Sequence, residues 1–198
     1  MQLKTLSLSD VEQVRLWRNE QNYLLRTPFL LTAGQQAQFY SDVVCNRQAN
    51  ARFWGIWCEI SEKTNLYTDE SLKPYMIIES DVKNLKLIGM CGLENVQWEN
   101  RLAEISLLLN PELSMEEYGS EALGLVLEQA FHFLNLENVF TEVYNCSSYI
   151  PFWLGMMKKY AADHVILPDR KFYNGDYHDS HYINFNKGAY IEYENIVA

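Results

Sequence analysis

The stretch RLAEISLLLNPELSMEEYGSEALGLVLEQAFHFL, from Arg101 to Leu134, has the residue pattern of an anion-binding site. Leu102 to Leu109 reads as an apolar strand closed by Asn110-Pro111, a pair that favours a turn. From Gly119 onward, Leu123, Val126, Leu127, Ala130, Phe131 and Leu134 recur at offsets of three and four, which is one face of a helix. A strand that enters a helix through a short loop aims the helix's first unbonded N–H groups, and the positive end of its dipole, at one point. A phosphate fits there. The same pattern is also half of an ordinary α/β core, and at this level both readings stand.

Other reactive side chains carry weaker signals. His178 and His181 are three apart in DYHDSHYI, an odd spacing that puts them on opposite faces of a strand, so no metal is expected. Cys45, Cys58, Cys91 and Cys146 form no C-x-x-C pair and read as buried, reduced thiols of a cytoplasmic protein. The net charge of −10, without a basic stripe, argues against general nucleic-acid binding. That charge suits a cationic or amine-bearing partner, and it equally suits simple solubility. No apolar run approaches the roughly 20 residues of a membrane helix. The opening MQLKTLSLSDVEQ lacks the apolar core of a signal peptide.

The elements that must position these groups are legible along the chain. Its 198 residues fit one domain, 1–198. Residues 2–6 read as a strand. Ser9 and Glu12 form a capping box for a helix to about Asn19, and Thr32 and Gln35 repeat it for a second helix with a stripe of Ala33, Ala37, Tyr40, Val43 and Val44. Between them NYLLRTPFLL is irregular at Pro28. ARFWGIWCEI, residues 51–60, is a strand; SEKTNLYTDESLKP is a polar loop; Tyr75 to Glu79 resumes as strand. Leu85 to Val96 is a long strand whose Gly89 and Gly92 suggest a bulge or a close backbone approach. Asn138 to Tyr144 is a short strand. Ser147 or Ser148 is placed to cap a helix with Pro151 in its first turn, and Asn174-Gly175 marks a hairpin inside Val165 to Phe185.

The segment CGLENVQWENRLAEISLLLNPELSMEEYGSEALGLVLEQAF resembles the central motif of the GNAT N-acetyltransferases, especially the branch that modifies ribosomal-protein N-termini and amino sugars. The likeness extends more loosely from LSLSDVEQVRLWRNEQ to RKFYNGDYHDSHYI. It implies an α/β fold with a mixed, mostly antiparallel central sheet flanked by helices. It also implies acetyl-CoA as co-substrate, and direct attack by a primary amine (a protein N-terminus, an amino sugar or a small polyamine-like amine) in a ternary complex. In that scheme Leu107, Leu108 and Leu109 pair with the pantetheine arm, and the amides around Tyr118, Gly119 and Ser120 hold the pyrophosphate. Asn145 and Trp153 contact the cofactor. Glu104, with Glu94 second, takes the amine's proton, and water or Tyr149 protonates the departing thiolate. Trp17, Arg18 and Arg26 contact the acceptor.

Each assignment has a plainer counterpart: a cross-strand charge pair for the glutamates, and a packed Trp with solvated arginines for the acceptor site. The chain also departs from the family pattern. Ser114 and Glu117 replace the Arg or Gln and the first Gly of the pyrophosphate loop, Glu116 adds a second charge, and Trp153 stands where a Tyr is common. Those departures support an alternative, a catalytically inactive GNAT-fold binding or assembly module. The strand connection at about 61–84 is longer than the family's tight hairpin and would either overlie the acceptor cleft or mediate a homodimer.

Overall fold

The computed structural model describes residues 1–26, 28–59 and 85–197. The enlarged connection at 61–84, with the strand expected at Tyr75 to Glu79, lies outside them. Strand β1 (Gln2–Lys4) leads to helix α1 (Leu8–Glu20) and helix α2 (Ala33–Phe39), which continues as a wider turn over Tyr40–Val44. Then come β2 (Arg52–Glu59), β3 (Leu85–Gln97), β4 (Leu102–Leu109), α3 (Met115–Glu128) and β5 (Asn138–Tyr144). Helix α4 (Ile150–Lys159), the hairpin β6 (Asp163–Tyr173) and β7 (Asp176–Asn186), and α5 (Lys187–Val197) complete the chain.

The strands form a seven-stranded sheet in the order β1-β2-β3-β4-β5-β7-β6. Its pairs are antiparallel except β4 with β5, which are parallel because α3 carries the chain back between them. This is the mixed, mostly antiparallel architecture that the resemblance implies. Alternation along β4 explains the layering. Ala103, Ile105 and Leu109 are buried against the α3 stripe of Ala122, Leu123, Val126 and Leu127, with Leu107 packed partly against it. Glu104, Ser106 and Leu108 face the other way, toward α1 and α2. At Gly89 of β3 the Leu108 carbonyl oxygen and Leu109 come so close that a Cβ would clash, which accounts for the glycine there. The β6–β7 turn at Asn174-Gly175 has φ of +53° and +91°, as a tight hairpin requires.

Several local expectations shift. Helix α1 is capped by Ser7 with Asp10, two residues before the Ser9–Glu12 box, because Ser7 is the residue that keeps an extended backbone. The Thr32–Gln35 box is present. The α2 stripe is not a buried face, since Ala33 and Ala37 are exposed. Gln36 is the buried residue instead, its amide donating to the Val11 carbonyl at 3.0 Å. Helix α4 begins after Tyr149 without a side-chain cap, Ser147 Oγ accepting only the Tyr149 N–H at 3.2 Å. Of the four cysteines Cys91 alone is buried, and Cys45 is exposed.

Candidate functional site

The site begins where a strand pair stops. Strands β4 and β5 pair at Leu102 with Asn138, Ala103 with Val139 and Glu104 with Phe140, and no further. Yet β4 runs on to Leu109 and β5 to Tyr144. Beyond Glu104 the two strands diverge, and β4 offers an edge without a strand partner among the described residues. A bulge in β3 accompanies the divergence: its register with β4 slips between Glu94 and Gln97, where Asn95 takes a φ of +51°. Asn tolerates that left-handed conformation better than most residues.

A cavity of about 370 Å³ occupies the gap. Ile105 to Leu108 line one side, Thr141 to Tyr144 the other, and Tyr149 and Trp153 from the start of α4 close one end. An apolar chamber of about 260 Å³ adjoins it between the helices α1 and α2 and the sheet, walled by Val14, Leu31, Phe39, Phe53 and Met90. The two share Arg18, Leu25, Glu94, Ser106, Leu107 and Leu108, so Glu94 borders both.

Glu94 and Glu104 sit directly opposite each other on β3 and β4. Like charges so placed repel, and the surroundings treat them differently. Glu104 is ion-paired with Arg26 from the α1–α2 connection and accepts from Asn95 Nδ2 at 3.3 Å. Glu94 has no contact ion pair of that kind among the described residues. Burial pushes its pKa up; the Ser106 hydroxyl hydrogen bond opposes that, Glu104 adds to it, and the more distant Arg26 and Arg18 pull it back. A carboxyl raised in this way is suited to accept a proton near neutrality.

At the other end the Tyr149 hydroxyl donates to Gln21 Oε1 at 2.7 Å. Burial, then the nearby Tyr23 and Glu116, raise its pKa, so it stays protonated. Gln21 is 4% exposed and in turn donates from Nε2 to the Leu109 carbonyl at 2.8 Å, which ties the end of β4 to α1. No motif announces Gln21 in the sequence, since its role depends on partners 88 and 128 positions away.

The start of α3 differs in detail from the expected cradle. Ser114 caps the helix, its Oγ accepting the Glu117 N–H at 3.3 Å, and the Tyr118 N–H already bonds the Ser114 carbonyl at 3.1 Å. Helical bonding therefore claims the Tyr118 amide, and Gly119 and Ser120 follow it inside the helix. The first-turn amides without an intrahelical acceptor are those of Met115 and Glu116. The Glu116 carboxylate accepts from Ser114 Oγ at 3.1 Å. Gly119 packs against Phe152 of α4, a Cβ there lying 2.6 Å from Met115 Sδ, and Ser120 Oγ accepts from Lys159 Nζ at 3.0 Å.

The remaining candidates are scattered. Arg18 and Arg26 line the cavity, as do Leu107, Leu108 and Trp153. Leu109 is buried with its carbonyl occupied by Gln21. Trp17 is buried and lines a separate hollow beside Asn110 and Glu112. Asn145 Oδ1 is hydrogen-bonded to His181 Nε2 at 2.7 Å, in a cluster with His164. On the β5 side Glu142 accepts from Ser180 Oγ at 2.7 Å and is paired with Arg170 at 3.0 Å, an arrangement the sequence pattern did not suggest.

Residues 1–145 match the model of the acetyltransferase (GNAT) domain. The chain belongs to the GNAT acetyltransferase family. This GNAT domain is an acyltransferase by family, and solved structures share its fold. Spermidine N-acetyltransferase from Vibrio cholerae in complex with CoA and spermine superposes with a TM-score of 0.71 at 18% identity, over 96% of this chain and 97% of that one. Glutamate-to-glutamine mutant forms of the spermidine/spermine N-acetyltransferase SpeG from the same organism give 0.71 at 17% identity, over 98% and 97%. No curated protein matches the sequence. Among the described residues of the GNAT domain, no helix is long and apolar enough to cross a membrane.

Proposed function

We infer that this GNAT domain moves the acetyl group of acetyl-CoA to a primary amine by direct attack in a ternary complex. The observation that carries the reading is the early end of β4–β5 pairing, which leaves a gap and an unpartnered strand edge beside a pair of carboxylates. The pantetheine arm lies along that edge at Leu107 and Leu108. Its pyrophosphate meets the first turn of α3, where the amides of Met115 and Glu116 and the helix dipole favour an anion. That the spermidine N-acetyltransferase from Vibrio cholerae has been captured with CoA and spermine supports CoA and an amine acceptor for the shared fold.

In the reaction Glu94 accepts a proton from the acceptor ammonium, directly or through a water, and Glu104 holds that amine in line. The amine nitrogen bonds to the thioester carbon, the C–S bond breaks and the Tyr149 hydroxyl gives its proton to the departing thiolate; the second proton of the attacking nitrogen leaves through water and restores the Tyr149 hydroxyl. The elevated pKa of Glu94 suits the first role, the hydroxyl of Tyr149 is protonated for the second, and both groups line the same cavity.

Calorimetric titration with acetyl-CoA, paired with an assay for free thiol in the presence of primary amines, tests the reading. Binding together with amine-dependent thiol release is expected. No heat and no thermal stabilisation at millimolar acetyl-CoA would remove the transferase and leave the inactive module, in which Glu116 and Glu117 occupy the helix end themselves.

A further inference from the structure

We propose that the acceptor is an α-amino acid with a large apolar side chain, recognised by Arg26 through its carboxylate; this rests on the amine-acetylating reading above. The first observation is charge balance in the cavity. Its charged lining among the described residues is Arg18, Arg26, Glu94, Glu104 and Glu142, and Arg170 is paired with Glu142 from outside. Inside the cavity two guanidinium groups thus face three carboxyls, of which Glu104 and Glu142 are paired and Glu94 alone has no contact counterion among the described residues. A polycation requires several carboxylates with no counterion, and here one is present. A zwitterion requires what is present, a cation and an anion side by side.

The Arg26–Glu104 contact has that form. An α-amino acid carries its ammonium and carboxylate on one carbon, a spacing that matches a contact ion pair. It can therefore replace the pair by exchange, its ammonium taking the place of Arg26 at Glu104 and its carboxylate taking the place of Glu104 at Arg26. Every charge remains compensated, which matters because an uncompensated charge in a cavity is costly. Arg26 is free to make the exchange. Its side chain is 52% exposed on a connection between helices, and its other partners are Tyr144 OH at 3.2 Å and Glu142 at 3.5 Å. Glu142 does not depend on it, being held by Ser180 and Arg170. The arginine fork is the side chain best shaped to grip a carboxylate with two parallel bonds.

The second observation is the apolar chamber. It adjoins the gap cavity beside Glu94 and Ser106 and is walled by Val14, Leu31, Phe39, Phe53 and Met90. At about 260 Å³ it exceeds the ~150 Å³ of an apolar cavity that admits benzene. With the acceptor nitrogen between Glu94 and Glu104, a side chain on the adjacent carbon reaches this chamber. A polyamine would bring a further ammonium, and an amino sugar its hydroxyls, against these apolar walls.

The experiment measures thiol release from acetyl-CoA with L-phenylalanine and L-leucine, with their amides, with phenethylamine and with spermidine. Expected is a kcat/KM for the free amino acids at least tenfold above that of their amides and of phenethylamine, and higher still above spermidine. Arg26→Gln should collapse the amino acid to amide ratio toward unity, and Arg26→Lys should restore part of it. Circular dichroism and thermal unfolding confirm that each variant is folded. Equal or faster turnover of the amides or of spermidine overturns the proposal, as does a ratio unchanged in Arg26→Gln. If no amine supports thiol release the proposal also fails, and acetyl-CoA calorimetry then shows how far the failure extends. Heat on binding sinks only the acceptor assignment, whereas its absence sinks the transferase reading too.

Discussion

Strand β4 has two neighbours, and they treat it in opposite ways. Against β3 it pairs from Leu102 to Leu109, with a single slip at the Asn95 bulge. Against β5 it pairs for three residues and then separates. Both flanking strands are apolar and both bury residues against α3 and its neighbours. The difference lies in what occupies the space between strands. On the β3 side Gly89 lets the β4 backbone close up at Leu108 and Leu109. On the β5 side Trp153 and Tyr149 line the end of the gap, and Arg26 lies between Glu104 and Glu142. A paired interface stabilises the sheet, and an unpaired one leaves backbone donors and acceptors free for a ligand.

The comparison can be broken on the chemical side first. Glu94→Gln should lower kcat by roughly 10²- to 10⁴-fold in single-turnover thiol release, the usual scale for losing a positioned base. Were kcat unchanged, Glu94 would be a packing residue. Next in size, Gly119→Val puts a side chain into the α3–α4 contact at Met115 and Phe152, and should cost about 1–3 kcal/mol in chemical denaturation. It would also blunt acetyl-CoA binding, because α4 closes the gap. Tyr149→Phe should reduce kcat about tenfold while leaving KM for acetyl-CoA nearly constant, if a water replaces the lost proton donor.

A pH series sharpens the same contrast. Because the folded state raises the Glu94 pKa, kcat/KM should climb as pH rises through that elevated value. The protonated group is the one the fold favours, so its contribution to stability is full at low pH and is lost as pH rises through the same interval. Activity and stability therefore move in opposite directions there, and Glu94→Gln should flatten both. Parallel curves would count against Glu94 as the base. The smallest effect is expected at the helix end. Glu116→Gln should tighten acetyl-CoA binding about two- to fivefold in calorimetry, by removing a carboxylate from the anion site.

Much of this was legible in the chain. The strand limits of β4 and β5, the α3 stripe and the Asn174-Gly175 turn follow from periodicity and turn chemistry that act over a few residues. The membership of Glu94 and Glu104 in one site was also visible, since both lie on strands of the same motif. Which of the two keeps a counterion was not. Glu104 gains Arg26 from 78 positions away, while Glu94 is left with burial as its main influence. Trp17 and Asn145 were placed by motif, yet Trp17 turns into a packed helix face and Asn145 toward His181. Gln21 and Ser106 carried no signal at all.

What the sequence alone determined is local: which segments alternate, which recur at helical spacing, and where turns must fall, because those properties depend on neighbours along the chain. The tertiary structure decided where β4 and β5 part, which carboxylate keeps a counterion, and which helix amides stay open. Each of these depends on groups dozens of residues apart meeting in a cavity, where burial and a single guanidinium set the charge.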